Sequence, residues 1–158
     1  MPTDLRKHAK DNGIKFFLFN FTDLFGTQRA KLVPAEAASK MQKAGAGFAG
    51  FATWLDQTPA HPDILVMPDT SAIIPLPWRP EVAWVAGEPW MEGKPLAQSP
   101  RVVLREMTER LAKKNMTFMA GVEPEFHLIN ADGSAISDPR DTQEKPCYDQ
   151  AAIMRRLD

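Results

Sequence analysis

The chain has 158 residues, of which 44% are hydrophobic and 25% are charged, so it can bury an ordinary core and is not expected to be disordered. Its 19 basic and 20 acidic residues give a net charge of −1, which disfavours nucleic acid as a partner. The single cysteine, Cys147, excludes an internal disulfide framework. We expect no signal peptide and no membrane span, and therefore a cytoplasmic protein.

The first elements predicted along the chain are a helix, a hairpin and a second helix. Residues 2–12 are polar and predict a short helix that Gly13 ends. Residues 14–23 are rich in aromatic side chains, and residues 27–33 follow them after turn-forming residues, so the two segments predict a hairpin. The segment 34–45 then predicts a helix, because proline opens it and glycine ends it.

The middle of the chain predicts a long connection and several short strands. Residues 45–62 are rich in glycine, alanine and aromatic side chains, and extended runs follow at 64–67, 71–76 and 81–86. Because proline cannot donate to a β-ladder, the prolines between Pro59 and Pro100 predict that these strands lie at sheet edges and turns. The order of elements indicates a small mixed α+β sheet with one helix across it.

A second, incomplete unit is predicted to begin near Ser99. Ser99 can cap a helix whose first residue is Pro100. Residues 117–129 then predict a strand, and residues 149–158 predict the start of another helix. The first of these helices has an apolar stripe at helical spacing, formed by Val103, Leu104, Met107 and Leu111.

Two carboxylates in the predicted strand form the most informative pattern in the sequence. Glu123 and Glu125 are two residues apart, so in a strand they point to the same side with Cα atoms about 6.6 Å apart. If that side faces inward, divalent cations are the natural compensation for two like charges, since Mg²⁺ and Mn²⁺ prefer oxygen ligands. Clustered divalent cations are also what phosphoryl transfer from ATP requires.

The same residues also fit an exposed acidic strand edge. Most carboxylates are solvated surface groups, and Pro124 between the two glutamates is typical of an edge. His127 lies on the same side of the predicted strand and is a possible third ligand, although a lone histidine is more often structural. Cys147, beside Pro146 and Tyr148, is interpreted as an inert thiol.

Four segments in consecutive order resemble the glutamine synthetase family. The glycine–x–glutamate–x–glutamate–phenylalanine segment 121–126 resembles the strand that opens the catalytic domain of these enzymes. The segment 21–26, with Arg29, Lys31, Val33 and Pro34, resembles the first hairpin of the family. The segments 67–69 and 75–80 resemble its next strands with their proline–tryptophan turn. The segment 100–104 resembles the helix that leads into the catalytic domain.

The resemblance implies an α+β fold in two parts. It implies a β-grasp N-terminal domain over residues 1–98, followed at 99–158 by the truncated start of a glutamine synthetase catalytic domain with an antiparallel sheet and helices. By the family motif, Glu123 and Glu125 correspond to metal ligands. The nucleotide pocket, the glutamate-binding residues and the other metal ligands are expected further along such chains, so this chain alone is expected to be inactive.

The resemblance also implies the chemistry of the complete enzyme. The side-chain carboxylate of glutamate attacks the terminal phosphate of ATP, and ammonia or a small amine then attacks the γ-glutamyl phosphate. Mg²⁺ or Mn²⁺ is the implied cofactor, ATP is a co-substrate, and a homo-oligomer of stacked rings is the implied assembly. The choice between the two metals, the regulation and the oligomeric state of this chain are left open.

The loop at 45–54 departs from many family members, which carry an aspartate where this loop has none before Asp56. Phe48, Phe51 and Trp54 are predicted to contact a substrate or a neighbouring subunit, where they would give an alkylamine apolar and cation–π contacts. This loop and residues 145–149 resemble the type III-like and γ-glutamylmethylamide synthetase branch, which favours methylamine as acceptor. A glycine-rich connection whose aromatics pack on the sheet is the alternative.

A non-catalytic function is the competing hypothesis for the chain as a whole. A β-grasp module that assembles or regulates through its sheet edges would need no metal-binding carboxylates. The orientation of Glu123 and Glu125 separates the two hypotheses, because an assembly module has no reason to turn two carboxylates inward.

Overall fold

The computed structural model describes residues 3–125, 130–134 and 150. The chain separates into two compact units, Met1–Phe118 and Met119–Asp158. The helices are α1 (Leu5–Asn12), α2 (Ala38–Ala44) and α3 (Pro100–Ala112), with single 3₁₀ turns at Ala35–Ala37 and Gly50–Ala52. The strands are β1 (Phe16–Thr22), β2 (Gln28–Pro34), β3 (Ala46–Phe48), β4 (Ile64–Leu76), β5 (Arg79–Met91) and β6 (Lys94–Pro95).

The strands form one mixed sheet in the order β2-β1-β5-β4-β3, with β6 paired to β5. The β1–β2 hairpin is antiparallel and pairs Phe16 with Pro34 and Thr22 with Gln28. Strand β1 also pairs with β5, and this pairing is parallel. Strand β4 is antiparallel to both β5 and β3. A parallel pair needs a long crossover, and here the crossover contains α2, β3 and β4.

The two ends of this sheet approach each other. Strands β2 and β3 lie at opposite ends of the strand order. Nevertheless, the Nζ of Lys31 in β2 donates a hydrogen bond to the carbonyl oxygen of Gly47 in β3. The same ammonium group lies 5.1 Å from the ring centroid of Phe48. The sheet is therefore curled, so that the hairpin lies close to the segment around β3.

Two groups of buried apolar side chains fill the interior. The first brings Leu5 and Ala9 of α1 and Ala38 of α2 against Phe17 and Phe19 of β1. Fully burying a side chain of this size contributes about 1.5–3 kcal/mol, so these aromatic residues anchor both helices to the sheet. The sequence predicts only one helix across the sheet, whereas two helices pack there. The second group consists of Phe21, Leu55, Ile64, Val66 and Leu96.

Local signals in the sequence place α1, the hairpin and the end of α2 correctly. The predicted start of α2 at Pro34 is wrong, because Pro34 ends β2 and α2 begins at Ala38 after a 3₁₀ turn. Helix α1 begins after Asp4, whose carboxylate accepts a hydrogen bond from the Lys7 amide at 2.7 Å. It ends at Gly13, which has a φ of 69°. Helix α2 ends at Gly45, which has a φ of 77°. Left-handed backbone of this kind costs glycine little, which is why these two glycines end their helices.

The middle strands are longer than predicted. The segments 64–67 and 71–76 belong to the single strand β4, whose pairing with β5 shifts register between Pro68 and Ile73. Strand β5 lies inside the sheet, so the prediction of edge strands is wrong for it. For β4 the effect of proline is still visible, because β3 pairs only with Ile64–Val66 and the prolines of β4 come after that stretch.

Helix α3 begins with Pro100 as predicted, but the Ser99 side chain makes no capping hydrogen bond, and the apolar stripe is largely exposed. Ser99 precedes the helix and Pro100 opens it. Val102 is buried, whereas Leu104 is 65% exposed, and Val103 and Met107 are also exposed. Arg101 and Arg105, one helical turn apart, pair with carboxylates of the sheet.

The predicted strand at 117–129 is absent over its described part, since residues 117–125 have no regular structure. A strand requires a neighbour for its backbone hydrogen bonds, and no strand of the described ranges pairs with this segment. The predicted helix at 149–158 lies outside the described residues except for Gln150, which is helical. The division at 98/99 into a β-grasp domain and the start of a catalytic domain stays a prediction.

The fold class is α+β, as predicted, with helices packed on a mixed sheet. Over the residues that the structure describes, no helix combines the length and apolar character needed to cross a bilayer.

Candidate functional site

The predicted metal ligands lie in the segment without regular structure. Glu123 and Glu125 are both exposed, as are the neighbouring residues 116–122. Among the described residues, no three histidine, cysteine, aspartate or glutamate side chains come together as a metal site. The two carboxylates are suitable oxygen ligands for a hard cation, but two groups are fewer than a complete ligand set. Their role as metal ligands stays a prediction.

Several other residues considered in the sequence analysis lie outside the described residues. They are His127, Cys147 and the segment 145–149.

The predicted substrate loop is an ordered part of the first unit. We use the name aromatic loop for residues 46–54, which contain β3 and the 3₁₀ turn Gly50–Ala52. Phe48 is half-buried and packs edge-on against Phe21, with ring centroids 5.2 Å apart and ring planes at 89°. Phe51 is 56% exposed and Trp54 is 61% exposed. In this loop Phe48 therefore packs against β1, whereas Phe51 and Trp54 are exposed.

The backbone of the aromatic loop is held by local and by distant hydrogen bonds. The Thr53 amide donates to the Gly50 carbonyl at 3.1 Å, and the Thr53 hydroxyl donates to the same oxygen at 2.7 Å. The Nε2 group of Gln98 donates to the Leu55 carbonyl at 2.9 Å, which connects the end of the loop to the segment before α3. The contact of Phe48 with Phe21 fits the alternative of aromatics packed on the sheet for this one residue.

The turn between β1 and β2 is built around one buried carboxylate. Asp23 is 1% exposed. Its Oδ1 accepts hydrogen bonds from the amides of Phe25 and Thr27, both at 2.9 Å. Its Oδ2 accepts one from the Nε of Arg29 at 2.8 Å. Both oxygens of this buried group are thus matched by donors.

The charge of Asp23 is stabilised by these donors. Burial by itself raises the pKa of the carboxyl group, but the hydrogen bond from Arg29 and the amides of Thr27 and Phe25 outweigh it, so the pKa of Asp23 lies below its ordinary value. The sequence predicts a turn at this residue but not its burial. A signal was available, since an aspartate that begins a tight turn ending in glycine often accepts amide hydrogen bonds.

A groove of about 540 Å³ lies between α3 and strands β4 and β5. Arg101 of α3 pairs with Asp69 of β4, and Arg105 pairs with Glu88 of β5 at 2.5 Å. Trp90 donates a hydrogen bond from its indole nitrogen to Glu88 at 2.8 Å. These pairs connect α3 to the sheet, and Leu104 of the apolar stripe also lines the groove between them.

The Asp69 carboxylate is hydrogen-bonded as well as paired. The hydroxyl and the amide of Ser71 donate to it at 2.6 Å and 3.0 Å, and Arg101 lies beside it, so the pKa of Asp69 is lowered. The groove was not predicted, because it depends on which strands lie under the helix.

Comparison with known proteins places this geometry in a family. No family model matches the chain. A glutamine synthetase of Rhizobium leguminosarum bv. phaseoli is 60% identical over 158 residues, which are the whole of this chain and 36% of that protein. A glutamate–methylamine ligase of Methyloversatilis universalis is 37% identical over 98% of this chain and 36% of its own length.

The fold has similar solved structures. A structure of a GmaS/ADP complex aligns with a TM-score of 0.85 and 52% identity, over 98% of this chain and 36% of the other. A structure of GmaS without ligand aligns equally well, over 37% of its length. The chain thus spans about a third of the length of the relatives that it matches. Identity of this extent over the whole chain, together with the shared fold, shows that the chain belongs to the glutamine synthetase family.

Proposed function

We propose that the chain forms part of an ATP-dependent ligase that joins the γ-carboxylate of glutamate to ammonia or a small amine. The observation that carries this proposal is the 60% identity with a glutamine synthetase over all 158 residues. The similarity to solved GmaS structures at 52% identity supports it independently. In the proposed reaction the glutamate carboxylate displaces ADP from ATP to give γ-glutamyl phosphate, and the amine then displaces phosphate.

The contribution proposed for this chain is part of a metal site and part of an acceptor site. Glu123 and Glu125 are proposed ligands of Mg²⁺ or Mn²⁺, which would screen the negative charges of glutamate and ATP. Since two carboxylates cannot form the site alone, the other ligands belong to parts of the enzyme beyond the described residues. Both carboxylates are exposed and belong to no strand over the described residues, so the proposed site requires residues beyond those ranges to enclose the pair.

The acceptor is proposed to be methylamine or a similar small amine. The aromatic loop contains no acidic residue, and Phe51 and Trp54 are exposed in it. An alkylammonium ion gains more from aromatic faces than ammonium does, because its methyl group also needs apolar contact. The glutamate–methylamine ligase among the relatives supports this choice, whereas the rhizobial relatives named glutamine synthetase support ammonia.

The complete enzyme is proposed to be a cytoplasmic homo-oligomer. In that assembly the exposed rings of the aromatic loop would meet a neighbouring subunit. The exposure of Phe51 and Trp54 supports this proposal, because exposed aromatic rings are available to a neighbouring subunit.

A chimera tests the proposed function directly. The matching segment of the Rhizobium leguminosarum enzyme is replaced by this chain, and ADP release is measured with glutamate, ATP and either ammonia or methylamine. Glutamate-dependent turnover is expected, with methylamine preferred over ammonia. Glu123→Gln and Glu125→Gln should each lower kcat by about 100-fold or more. Removing a group that only orients a metal ligand already costs about 10- to 100-fold, and a direct ligand should cost at least as much.

Glu106→Gln is the matched control, because Glu106 is an exposed glutamate on α3. Full activity of both glutamine variants would contradict the metal-ligand proposal. A folded but inactive chimera, measured beside an active parent enzyme, would favour the non-catalytic assembly module instead. Strong preference for ammonia would contradict the acceptor proposal and leave the ligase proposal intact.

A further inference from the structure

The backbone of Trp54 has a conformation that residues with bulky side chains rarely adopt. Its φ is 49°, and Asp56, two residues later, has a φ of 55°. Bulky side chains rarely occupy this left-handed region, and they persist there only where surrounding contacts hold them. Leu55 between them is fully buried, which anchors the chain at that point. Further contacts hold Trp54 itself.

Two of these contacts come from the turn between β1 and β2. The amide of Leu24 donates a hydrogen bond to the Trp54 carbonyl at 3.2 Å. The ring of Phe25 meets the indole edge-on, with ring centroids 5.3 Å apart and ring planes at 86°. Edge-to-face geometry at this distance is the favourable arrangement for two aromatic rings.

The contact with Trp54 is what explains an aromatic side chain at position 25. Its side chain is 75% exposed, so it contributes little to the core. A phenylalanine this exposed at a turn is costly in water, and its contact with Trp54 is the one aromatic contact that it makes among the described residues. The turn that presents it is itself fixed by the three donors bound to Asp23.

We propose that Phe25 is a positioning residue for Trp54, and that Asp23 fixes the turn from which Phe25 acts. The inference rests on the proposed function, in which the exposed indole of Trp54 contacts the acceptor amine. Phe25 then limits the rotation of the indole and keeps its free face turned outward. The acceptor preference of the enzyme depends on this hairpin, although the hairpin lies about thirty residues before Trp54 in the chain.

Hydrogen exchange in the 158-residue chain tests the positioning without any activity. Phe25→Ala should raise the exchange rates of the Leu24 and Thr53 amides by about 2- to 10-fold, the range that an edge-to-face contact supplies. Phe25→Tyr should restore the original rates, since it keeps the ring. Trp78→Ala is the matched control, because Trp78 is 79% exposed at the turn between β4 and β5.

The chimera supplies the functional readout. Phe25→Ala should raise the KM for the acceptor amine by about 2- to 10-fold, while the KM values for glutamate and ATP stay within about twofold. Unchanged exchange at Leu24 and Thr53, or a rise at every amide of the chain, would overturn the proposal. An equal rise in all KM values would also overturn it. If the chimera lacks ligase activity altogether, the proposed function fails, and the exchange rates alone decide the positioning of Trp54.

Discussion

At the scale of single residues, Asp23 shows how one carboxylate can organise a turn. Aspartate is rarely buried unless donors surround its charge, and here two amides and a guanidinium do so. The sequence predicts a turn over residues 23–26, because aspartate begins this segment and glycine ends it. The partner Arg29 lies on the returning strand, so its role follows from the register of the hairpin.

The lowered pKa of Asp23 predicts a dependence of stability on pH. The folded state favours the ionised carboxylate, so its contribution is present above the unfolded pKa of about 3.9 and is lost as the pH falls through the lower folded pKa. Asp23→Asn should therefore lower the melting temperature at pH 7. The difference from the original chain should shrink at pH 3.

Thermal unfolding at the two pH values measures this effect. Asp63→Asn is the matched control, because Asp63 is an exposed aspartate, and it should leave the melting temperature nearly unchanged. A constant difference between the Asp23 variant and the original chain from pH 7 to pH 3 would show that the charge of Asp23 is not what stabilises the turn.

Among the elements, β5 decides the architecture, since it pairs with β1, β4 and β6. Its segment 81–86 is extended as predicted, but the strand continues to Met91. Gly87 lies in that continuation, opposite Pro68. A Cβ atom at position 87 would lie 2.2 Å from Cγ1 of Val66 and 3.1 Å from the carbonyl oxygen of Asn20. The neighbouring strands therefore exclude any side chain at this position.

Gly87→Ala is expected to destabilise the fold by about 1–3 kcal/mol, because the added methyl group overpacks a closed interior. Urea unfolding of the 158-residue chain measures the change. Gly121→Ala serves as control and should stay within about 0.5 kcal/mol, since an added Cβ there meets no atom within 4 Å.

The combination of Gly87→Ala with Val66→Ala identifies the clash. Removing Cγ1 of Val66 opens the space that the new methyl group needs, so the double variant should lose less stability than the sum of the single variants. Full additivity would place the cost elsewhere, for example in the contact with Asn20.

On the scale of the whole molecule, the described residues contain one well-packed unit and the exposed residues of the proposed metal site. The core groups belong to the first unit. The apolar stripe of α3 and the segment with Glu123 and Glu125 are exposed. Apolar side chains at helical spacing usually pack against a partner, and this chain matches about a third of its relatives' length.

The isolated 158-residue chain is accordingly expected to lack ligase activity. The proposed metal site needs more ligands than Glu123 and Glu125 supply within the described ranges. A coupled assay for ADP release with glutamate, ATP and methylamine should give no glutamate-dependent rate above that of buffer, while the chimera serves as positive control. Glutamate-dependent ATP turnover by the isolated chain would contradict this expectation.

The amino-acid sequence by itself determined the elements that begin or end at a residue with a specific backbone preference. The ends of α1 and α2 at glycine, the beginning of α3 at proline and the position of the hairpin all depend on contacts within a few residues. The family was also readable, because four motifs in order occupy much of the chain. The predicted strand at 117–129 was wrong over 117–125, since the residue pattern alone cannot provide a pairing partner.

Only the tertiary structure decided the features that join distant segments. The parallel pairing of β1 with β5, the curl that brings Lys31 to Gly47, and the contact of Phe25 with Trp54 connect residues that lie 16 or more positions apart. Local propensity carries no information about such partners, because their contacts depend on how the whole sheet closes. The position of the aromatic loop, and with it the proposed acceptor site, therefore follows from the fold.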